Sequence, residues 1–531
     1  MSGTIDAVTG EQPTAVPARP GASPVPTGAA GVGSLLPPMA STPASSLRAE
    51  RSTRLDLGIL GAVTVALRLP AFFAERHLTF DDGVFGASAV AMRAGGQPFR
   101  DVFSSQGPLF LPLLWLADLI GLRRLDSPRL LSVGAGVALV ALVYLVGRTV
   151  ADRPGALLAA GLTSGCASVL WVTGPLAADG VALAFATLTM LLLLRWRLDL
   201  TVPRAVWIGL ALGAAISVKS LVGIVLIPVA LALLAGRRLW PIVAGAATSV
   251  ALHLLLWLPW GPGDVWDQAY AYHLDVAGSR TPGANLAKTL STLGDRDLPL
   301  VAAVLLALAA AGVAARRRRR TPRPDPAASA TQDRAARIAG WLQHPDLLLG
   351  TWLGATVLML LTEHPMWRPH VAHLVPPLAL LLARHRPPAR ALAAVLVLTL
   401  PYHLVHAWEV LHPTPFRDGS EEVVLLLHVL QPGALAISDD PGIVWRAGRR
   451  TTDDLVDTSV LRIQTDRMDS DSVMAAASSS DVCAVVVRSE HRWGSFPDLP
   501  GRLADAGYVI AQEDQLGRRA YIKTHCEAGL R

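Results

Sequence analysis

The sequence predicts a polytopic α-helical membrane protein with a small α/β domain after its last membrane span. Three observations favour this fold class. Hydrophobic residues make up 52% of the 531 residues and charged residues 17%, with a mean hydropathy of +0.41, which is too apolar for a soluble chain of this length. Apolar runs long enough to cross a bilayer recur between residues 57 and 407. After Trp408, short helical and strand patterns alternate instead.

The first segment, residues 1–47, is predicted to be a disordered cytoplasmic tail. It is rich in Pro, Ala, Gly, Ser and Thr and has almost no aromatic residues, so it cannot bury enough apolar surface to become ordered. No basic stretch followed by an apolar core and a small-residue cleavage site is present. A cleaved signal peptide is therefore not expected.

The second segment, residues 48–407, contains about eleven predicted membrane spans. They lie near 57–74, 130–147, 155–173, 175–194, 205–219, 220–236, 241–258, 298–314, 346–362, 371–383 and 390–407. One further run, Gly107 to Gly121, holds only about fourteen apolar residues. That length is typical of an interfacial or re-entrant segment.

The basic residues predict the orientation of these spans. If Gly107 to Gly121 does not cross, the cytoplasmic loops after it hold eighteen Lys and Arg residues and the opposing loops hold five. A crossing would invert every later loop and break the positive-inside bias. We therefore expect a bacterial plasma-membrane protein with a cytoplasmic N-terminus and an extracytoplasmic domain over residues 408–531. The net charge of +6 does not form the basic face with interleaved aromatics that nucleic-acid binding requires, so no nucleic-acid partner is expected.

Two adjacent carboxylates, Asp81 and Asp82, follow directly on the first apolar run. Ionised groups lose hydration near hydrocarbon, so a chain that keeps two of them there usually has a function for them. The plainer interpretation is that one of them caps a helix N-terminus.

Several motifs then occur in a fixed order. They are Thr79-Phe80-Asp81-Asp82-Gly83-Val84-Phe85, Gly95-Gly96-Gln97-Pro98-Phe99-Arg100-Asp101-Val102-Phe103, Ser105-Gln106-Gly107-Pro108-Leu109, Leu176-Ala177-Ala178-Asp179, Val218-Lys219-Ser220, Trp367-Arg368-Pro369-His370 and His373-Leu374-Val375-Pro376-Pro377-Leu378. Over roughly residues 57–405 they resemble the GT-C glycosyltransferases, in the branch of the protein mannosyltransferases and aminoarabinose transferases. The sequence departs from that pattern at Asp82, where the family usually has Glu.

The resemblance implies an inverting transfer of a sugar from a polyprenyl-phosphate carrier to an acceptor hydroxyl at the outer membrane face. The acceptor could be a protein, a cell-wall polysaccharide or a lipid-linked glycan. A hydroxyl needs a positioned base, commonly a carboxylate, and Asp81 is the expected one. Asp82 would raise one of the two pKa values by like-charge repulsion. Asp179 would add a second acidic position, although a carboxylate that simply stabilises a helix N-terminus explains it equally well.

The departing lipid phosphate needs cations or oriented donors. Lys219, His364, Arg368 and His370 lie at outer span ends, and Arg suits phosphate through its planar fork. Lys219 and Arg368 could instead snorkel to lipid head groups, and His370 and His373 could be interfacial residues without a chemical role.

Other residues of the first external loop are expected to support its conformation. An ion pair between Arg100 and Asp101 would pin the loop, and Gln106 belongs to the same support. The sequence shows no metal-ligand spacing, so no cofactor is expected, although a divalent cation between Asp81 or Asp82 and Asp179 stays open. In the 259–297 loop, Trp266, Tyr270 and Leu274 have helical spacing, which predicts an amphipathic helix at the membrane interface.

The C-terminal domain is predicted to contain helices near 421–430, 471–479 and 501–506 and strands near 434–438, 482–488, 508–513 and 519–523. It lacks a Gly-rich phosphate loop, so acceptor recognition or partner contact is expected rather than catalysis. Asp439-Asp440-Pro441-Gly442 is predicted to be a turn. An extracytoplasmic location would permit a disulfide between Cys483 and Cys526, and the pairing stays open.

Two other function classes compete with glycosyl transfer. A transporter or lipid flippase would carry ionisable groups at mid-membrane depth, whereas here they gather at one face. A non-catalytic relative that only binds a carrier lipid is the third possibility, and the retention of Asp81 argues against it.

Overall fold

The computed structural model describes residues 43–72, 78–236, 238–276, 281–319, 340–412, 419–431 and 433–526. Most of the predicted N-terminal tail lies outside these residues. The helices of the membrane part are α1 Pro43–Phe72, α2 Phe80–Arg93, α3 Phe110–Ile120, α4 Leu130–Val150, α5 Arg153–Gly165, α6 Ala167–Thr173, α7 Ala178–Trp196, α8 Val202–Val218, α9 Leu226–Ala235, α10 Leu239–Leu255, α11 Pro262–Trp266, α12 Tyr272–Leu274, α13 Pro282–Arg296, α14 Leu298–Arg319, α15 Pro345–Thr362, α16 Val375–Arg384 and α17 Ala389–Leu411.

Long apolar helices dominate this part of the chain. Six described helices are long and apolar enough to cross a membrane, or eight if each of two bent pairs counts as one span. Three shorter apolar helices, within 110–120, 202–218 and 220–235, fall below that length. The protein is therefore a polytopic integral membrane protein, while the predicted count of about eleven spans stays a prediction.

The two bent pairs meet at a buried polar cluster. The predicted span 155–173 is two helices, α5 and α6, that bend by 62° at Cys166, and α13 and α14 bend by 105°. A break frees backbone groups that water cannot satisfy inside a membrane. Here His403 Nε2 lies 2.6 Å from the Gly165 carbonyl oxygen, and the Asp297 carboxylate accepts the Ser168 N–H at 3.2 Å. Side chains thus satisfy the freed groups on both sides of the first break.

The predicted interfacial helix is present between residues 262 and 274. It consists of α11, a π-helical turn at Asp267–Ala271 and α12. Val265, Ala269 and Tyr272 are buried against the protein, while Trp266 and Leu274 are exposed. The segment is therefore amphipathic, with two large apolar side chains on its outward face.

The C-terminal part forms the predicted small α/β unit. Its elements are α18 Ser420–Val429, β1 Leu435–Ser438, α19 Pro441–Arg446, α20 Val460–Gln464, α21 Ser470–Ala477, β2 Val482–Val487, α22 Leu499–Asp505, β3 Tyr508–Glu513 and β4 Arg519–Lys523. The sheet order is β1-β2-β4-β3. The pair β1–β2 is parallel, and β4 is antiparallel to both β2 and β3. A disulfide joins Cys483 to Cys526.

The segment predicted as a turn at Asp439–Gly442 begins a helix instead. Asp439 follows β1 and accepts the backbone N–H groups of Arg488 and Ser489, both at 2.8 Å, and α19 starts at Pro441. A proline suits the first position of a helix because no partner is needed there for its missing N–H.

Through α19, the C-terminal part packs on the helix that carries Asp81. Trp445 of α19 lies so close to Gly86 of α2 that a Cβ atom on Gly86 would sit 2.1 Å from the indole ring. The Arg129 guanidinium also packs on the Trp445 ring, at 5.0 Å from its centroid. The position of α2 therefore depends on both parts of the chain.

Candidate active site

The loop predicted to be external begins with a capped helix, α2, that presents Asp81 to solvent. Thr79 is the N-cap of α2, and its hydroxyl accepts the Asp82 N–H at 3.1 Å, as capping residues do. Asp81 follows in the first turn of α2 and its side chain is exposed. None of the described residues donates a hydrogen bond to its carboxylate, so both oxygens are accessible to a substrate.

The surroundings of Asp81 raise its pKa to about 6. Crowding by protein atoms is the largest cause, the Lys219 ammonium opposes it, and the carboxylates of Asp179 and Asp457 reinforce it. Because solvent reaches the side chain, we attribute the raised pKa to a crowded but open site rather than to a sealed core. We call the space between Asp81, Lys219 and Asp457 the cleft. A carboxyl group with this pKa is ionised at neutral pH and still a much better base than an ordinary aspartate.

Asp82 does not join Asp81 in the cleft, which corrects the predicted pair. Its carboxylate is fully buried and forms an ion pair with Arg129, with Nη2 to Oδ2 at 2.6 Å and Nε to Oδ1 at 3.2 Å. It also accepts the Leu176 N–H at 2.9 Å. Asp82 therefore fixes the start of α2 to the residues that precede α7, and the predicted repulsion between Asp81 and Asp82 is not the cause of the raised pKa.

Asp179 lies at the centre of a second polar cluster. It is buried in the first turn of α7 and accepts hydrogen bonds from Lys219 Nζ at 2.8 Å and His373 Nε2 at 3.0 Å. His370 Nε2 lies 3.0 Å from Lys219 Nζ, and His370 Nδ1 contacts the Glu363 carboxylate. We call Asp179, Lys219, Glu363, His370 and His373 the lysine cluster. Asp179, predicted as a second acidic position, thus contacts Lys219 and His373 directly.

The lysine cluster leaves donor capacity for a ligand. The Lys219 ammonium group has three N–H donors. Two of them are directed at Asp179 and His370. The Lys219 side chain retains 16% of its exposure, and its ammonium is close enough to Asp81 to oppose the rise in that pKa. The remaining N–H can therefore serve an anion in the cleft that Asp81 faces.

The Ser105–Leu109 motif fixes the chain next to Lys219. The Gly107 N–H donates to the Val218 carbonyl at 3.0 Å, and the Leu109 N–H donates to the Ser217 carbonyl at 2.9 Å. A Cβ atom on Gly107 would lie 2.3 Å from the Ser217 oxygen. Glycine is needed here because the two backbones approach so closely.

The predicted support residues act locally and not as an ion pair. Arg100 donates to the Gln97 side chain at 3.1 Å, and Asp101 accepts the Gln97 N–H at 2.9 Å. Gln106 Nε2 donates to Ser105 Oγ at 3.2 Å. The expected Arg100–Asp101 ion pair is thus replaced by two contacts to Gln97, which close a tight loop.

His364 and Arg368 are not brought into the lysine cluster. His364 is half-buried, and Arg368 is exposed and lies within electrostatic range of Arg296. In the described part of the chain, neither side chain contacts Lys219 or His370. The residues that join the cluster without having been predicted in this role are Glu363 and His373.

The most distant unpredicted residue near the cleft is Asp457 of the C-terminal part. Its carboxylate contributes to the raised pKa of Asp81, and it accepts a long hydrogen bond from Ser105 Oγ at 3.4 Å. The sequence around it carries no motif, and only the fold brings it near residue 81. Within the described residues, no group of three or more His, Cys, Asp or Glu side chains is arranged to hold a metal ion.

Comparisons with known proteins agree with the overall fold. Residues 105–261 match the family model of dolichyl-phosphate-mannose-protein mannosyltransferases. The crystal structure of ArnT from Cupriavidus metallidurans in the apo state is similar over 87% of this chain and 97% of that protein, with a TM-score of 0.56 and 15% sequence identity. The same protein bound to undecaprenyl phosphate gives a TM-score of 0.57 at 15% identity, over 88% and 97% of the two chains. No curated protein matches the sequence.

Proposed function

We infer that this chain, which has the fold of the GT-C glycosyltransferases, is a membrane glycosyltransferase that uses a polyprenyl-phosphate-linked sugar as donor. The acceptor is a hydroxyl group, and the reaction takes place at the outer membrane face. One observation carries this proposal. Asp81 is accessible, has a pKa of about 6 and faces the same cleft as the partly exposed Lys219.

The chemistry is a single displacement with inversion. Asp81 removes the proton of the acceptor hydroxyl, and the oxygen of that hydroxyl attacks the anomeric carbon of the donor sugar. The bond between that carbon and the phosphate oxygen breaks, and the polyprenyl phosphate leaves with the electron pair. A carboxylate that is accessible, ionised at neutral pH and raised in pKa suits this step.

The lysine cluster supplies the other half of the reaction. The free N–H of Lys219 stabilises the charge that develops on the departing phosphate. Asp179 holds the Lys219 ammonium at 2.8 Å, so that the cation is in place before the reaction. His370, whose two ring nitrogens contact Lys219 and Glu363, supports the same ammonium group. The names of the similar proteins support a polyprenyl-phosphate carrier, since one is a dolichyl-phosphate-mannose-dependent family and the other binds undecaprenyl phosphate.

The orientation belongs to the same proposal. We place the N-terminal tail, residues 1–47, in the cytoplasm and residues 408–531 outside a bacterial plasma membrane. The positive-inside bias of the loops supports this orientation. So does the Cys483–Cys526 disulfide, because disulfides persist mainly in oxidising compartments.

Substitution of Asp81 by Asn tests the base. The variant keeps the size of the side chain and loses the ability to take up a proton, so transfer should fall by roughly 10²–10⁴-fold. The measurement is the transfer of radiolabelled mannose from undecaprenyl-phosphate mannose into membrane material, with purified protein added to membranes of a strain that lacks the gene.

The matched control is Asp505→Asn, which removes an exposed carboxylate at the end of α22 in the C-terminal part and should retain full transfer. Undiminished transfer by Asp81→Asn would refute the assignment of the base. If the wild type has no transferase activity and Asp81→Asn changes the translocation of the donor lipid, the protein is a transporter.

A further inference from the structure

A segment of the C-terminal part, residues 457–467, packs on the rim of the cleft. Ser459 Oγ and Tyr272 Oη lie 2.9 Å apart. The Arg462 guanidinium covers the Phe103 ring at 4.2 Å from its centroid. The segment is therefore fixed both to the interfacial helix and to the first external loop.

Further contacts fasten the same segment. Arg467 forms ion pairs with Asp267 at 2.7 Å and with Asp275 at 2.8 Å. His273 Nε2 lies 2.8 Å from the Ser105 carbonyl oxygen, which joins the interfacial helix to the external loop. These contacts hold three regions of the chain together, namely the segment 457–467, the interfacial helix and the external loop.

Asp457 opens this segment and is buried there, with 4% of its surface exposed. Its Oδ1 accepts the Ser459 N–H at 3.0 Å, while its Oδ2 has the long contact to Ser105 Oγ at 3.4 Å. Arg462 donates to the Asp457 carbonyl and not to its carboxylate. Across the described residues, no Lys, Arg or His side chain forms an ion pair with this carboxylate. Burying a carboxylate without a cation is costly, so a further donor is expected.

Asp457 also gives the cleft a charge asymmetry. Lys219 is at the end of α8 and His370 follows α15, so the ammonium group and the histidine beside it belong to the membrane part. Asp457 belongs to the C-terminal part, and Asp81 is within electrostatic range of Lys219, Asp179, His370 and Asp457. An anionic phosphate is attracted to the lysine cluster and repelled by Asp457.

We propose that Asp457 positions the acceptor, which is a neutral polyol such as a glycan, by accepting a hydrogen bond from one of its hydroxyls while another hydroxyl faces Asp81. The proposal rests on the glycosyl transfer proposed above. Two carboxylates that face one acceptor call for two donors on it, and a sugar offers several neighbouring hydroxyls. An acceptor with a negative charge near the reacting hydroxyl is excluded by repulsion from Asp457 and Asp81.

The test compares octyl glucoside and octyl glucuronide as soluble acceptors, together with the octyl glycosides of mannose and galactose. Undecaprenyl-phosphate mannose is the donor, and full-length protein is used. Wild type should use a neutral glycoside and discriminate against the glucuronide. In Asp457→Asn, the KM for the neutral acceptor should rise about tenfold or more, since a hydrogen bond to a charged group is lost. The KM for the donor should stay unchanged, and discrimination against the glucuronide should narrow.

A second readout separates positioning from a merely structural role. Loss of the Asp457 charge removes one of the causes that raise the pKa of Asp81, so the acid limb of the pH–rate profile should move to lower pH. Asn keeps an oxygen for the Ser459 N–H, so the fold should survive, and an unchanged melting temperature checks this. Asp505→Asn, outside the segment, is the control and should leave the KM values and the pH profile as in wild type.

The outcomes distinguish this inference from the proposed function. Wild-type acceptor KM, glucuronide discrimination and pH profile in Asp457→Asn would overturn the role of Asp457, even if Asp81→Asn is inactive. Failure of every neutral glycoside with the wild type, while a serine- or threonine-containing peptide is glycosylated, would overturn the polyol acceptor. Full activity of Asp81→Asn would instead overturn the proposed function itself.

Discussion

At the scale of single residues, the first external loop shows how helix phase assigns different roles to adjacent carboxylates. Successive residues of a helix point about 100° apart, so residues 81 and 82 cannot share a face of α2. Asp82 turns into the protein toward Arg129 at 2.6 Å, and Asp81 turns outward into the cleft. Their neighbourhood in sequence predicted a coupled pair, but the helix that begins after Thr79 separates them.

The raised pKa of Asp81 predicts a characteristic pH dependence. The base works in its ionised form, and its pKa is about 6 instead of 3.8. Activity should therefore be lost as the pH falls through about 6, with a plateau above it, and an ordinary aspartate would retain activity down to about pH 4. The measurement is kcat/KM for the acceptor between pH 4.5 and 8.

A profile that stays flat down to pH 5 would contradict the raised pKa as the controlling value. Asp505→Asn again provides the control, since its exposed carboxylate should not influence the acid limb. The pKa of Asp81 depends on four neighbouring residues, Lys219, Asp179, His370 and Asp457. The acid limb of the pH profile therefore reports on the whole cleft.

The other site residues were predictable to different degrees. Lys219, His370 and Asp179 were found because they follow or open apolar runs at the outer ends of spans, and those ends converge in the fold. His364 and Arg368 were predicted by the same argument and remain outside the lysine cluster, because position at a span end does not define the direction of a side chain. Asp457 carried no signal at all, since only the packing of residues 457–467 brings it near residue 81.

At the scale of elements, the contact between the Ser105–Leu109 motif and the end of α8 explains the need for a glycine. Substitution of Gly107 by Ala would place a methyl group 2.3 Å from the Ser217 oxygen, so one backbone must move. Because Lys219 follows two residues later, we expect transfer to fall roughly 10–100-fold, as small displacements of catalytic groups often cause.

Gly161→Ala is the matched control for this change. Gly161 lies within α5, and a Cβ atom there would meet no atom within 4 Å, so the substitution should keep full activity and favour the helix slightly. Transfer by Gly107→Ala at the wild-type rate would show that the close backbone approach does not position Lys219.

The sequence predicted the positions of helices and strands better than it predicted where a helix breaks. The C-terminal strands were placed within about two residues of β1, β2, β3 and β4, because short runs of apolar and β-branched residues bounded by polar and turn residues are local signals. The break at Cys166 was not predicted, since an apolar run looks the same whether it bends or not. It depends on His403 and Asp297, which lie far away in sequence and satisfy the groups freed by the break.

At the scale of the whole molecule, the predicted GT-C fold is confirmed by the similarity to ArnT over most of both chains. The number of spans is a harder quantity. A length criterion accepts six to eight. The difference from eleven consists of two of the shorter apolar helices, within 202–218 and 220–235, and the predicted span 371–383. Short apolar helices can be buried within protein or lie at an interface, so length alone does not decide whether they cross.

The orientation of the whole chain depends on one of these short helices. Helix α3 has 11 residues, which is about 16 Å at 1.5 Å per residue, and the hydrocarbon core is about 30 Å thick. If α3 does not cross, both of its ends lie on the outer face, and Asp81, Asp179, Lys219 and the C-terminal part share that face. If it does cross, Asp81 and Asp179 lie on opposite faces and their approach would be impossible.

Cysteine accessibility tests this orientation in the full-length protein. In a Cys166→Ser background, Arg124→Cys follows α3 and Arg390→Cys begins α17, and both residues are exposed. A membrane-impermeant maleimide should label Arg124→Cys in intact cells and Arg390→Cys only after permeabilisation. The reverse pattern would place the basic loops outside, against the positive-inside bias. Labelling of both positions from outside would require an odd number of the intervening segments not to cross, which would revise the span count while leaving the outer cleft intact.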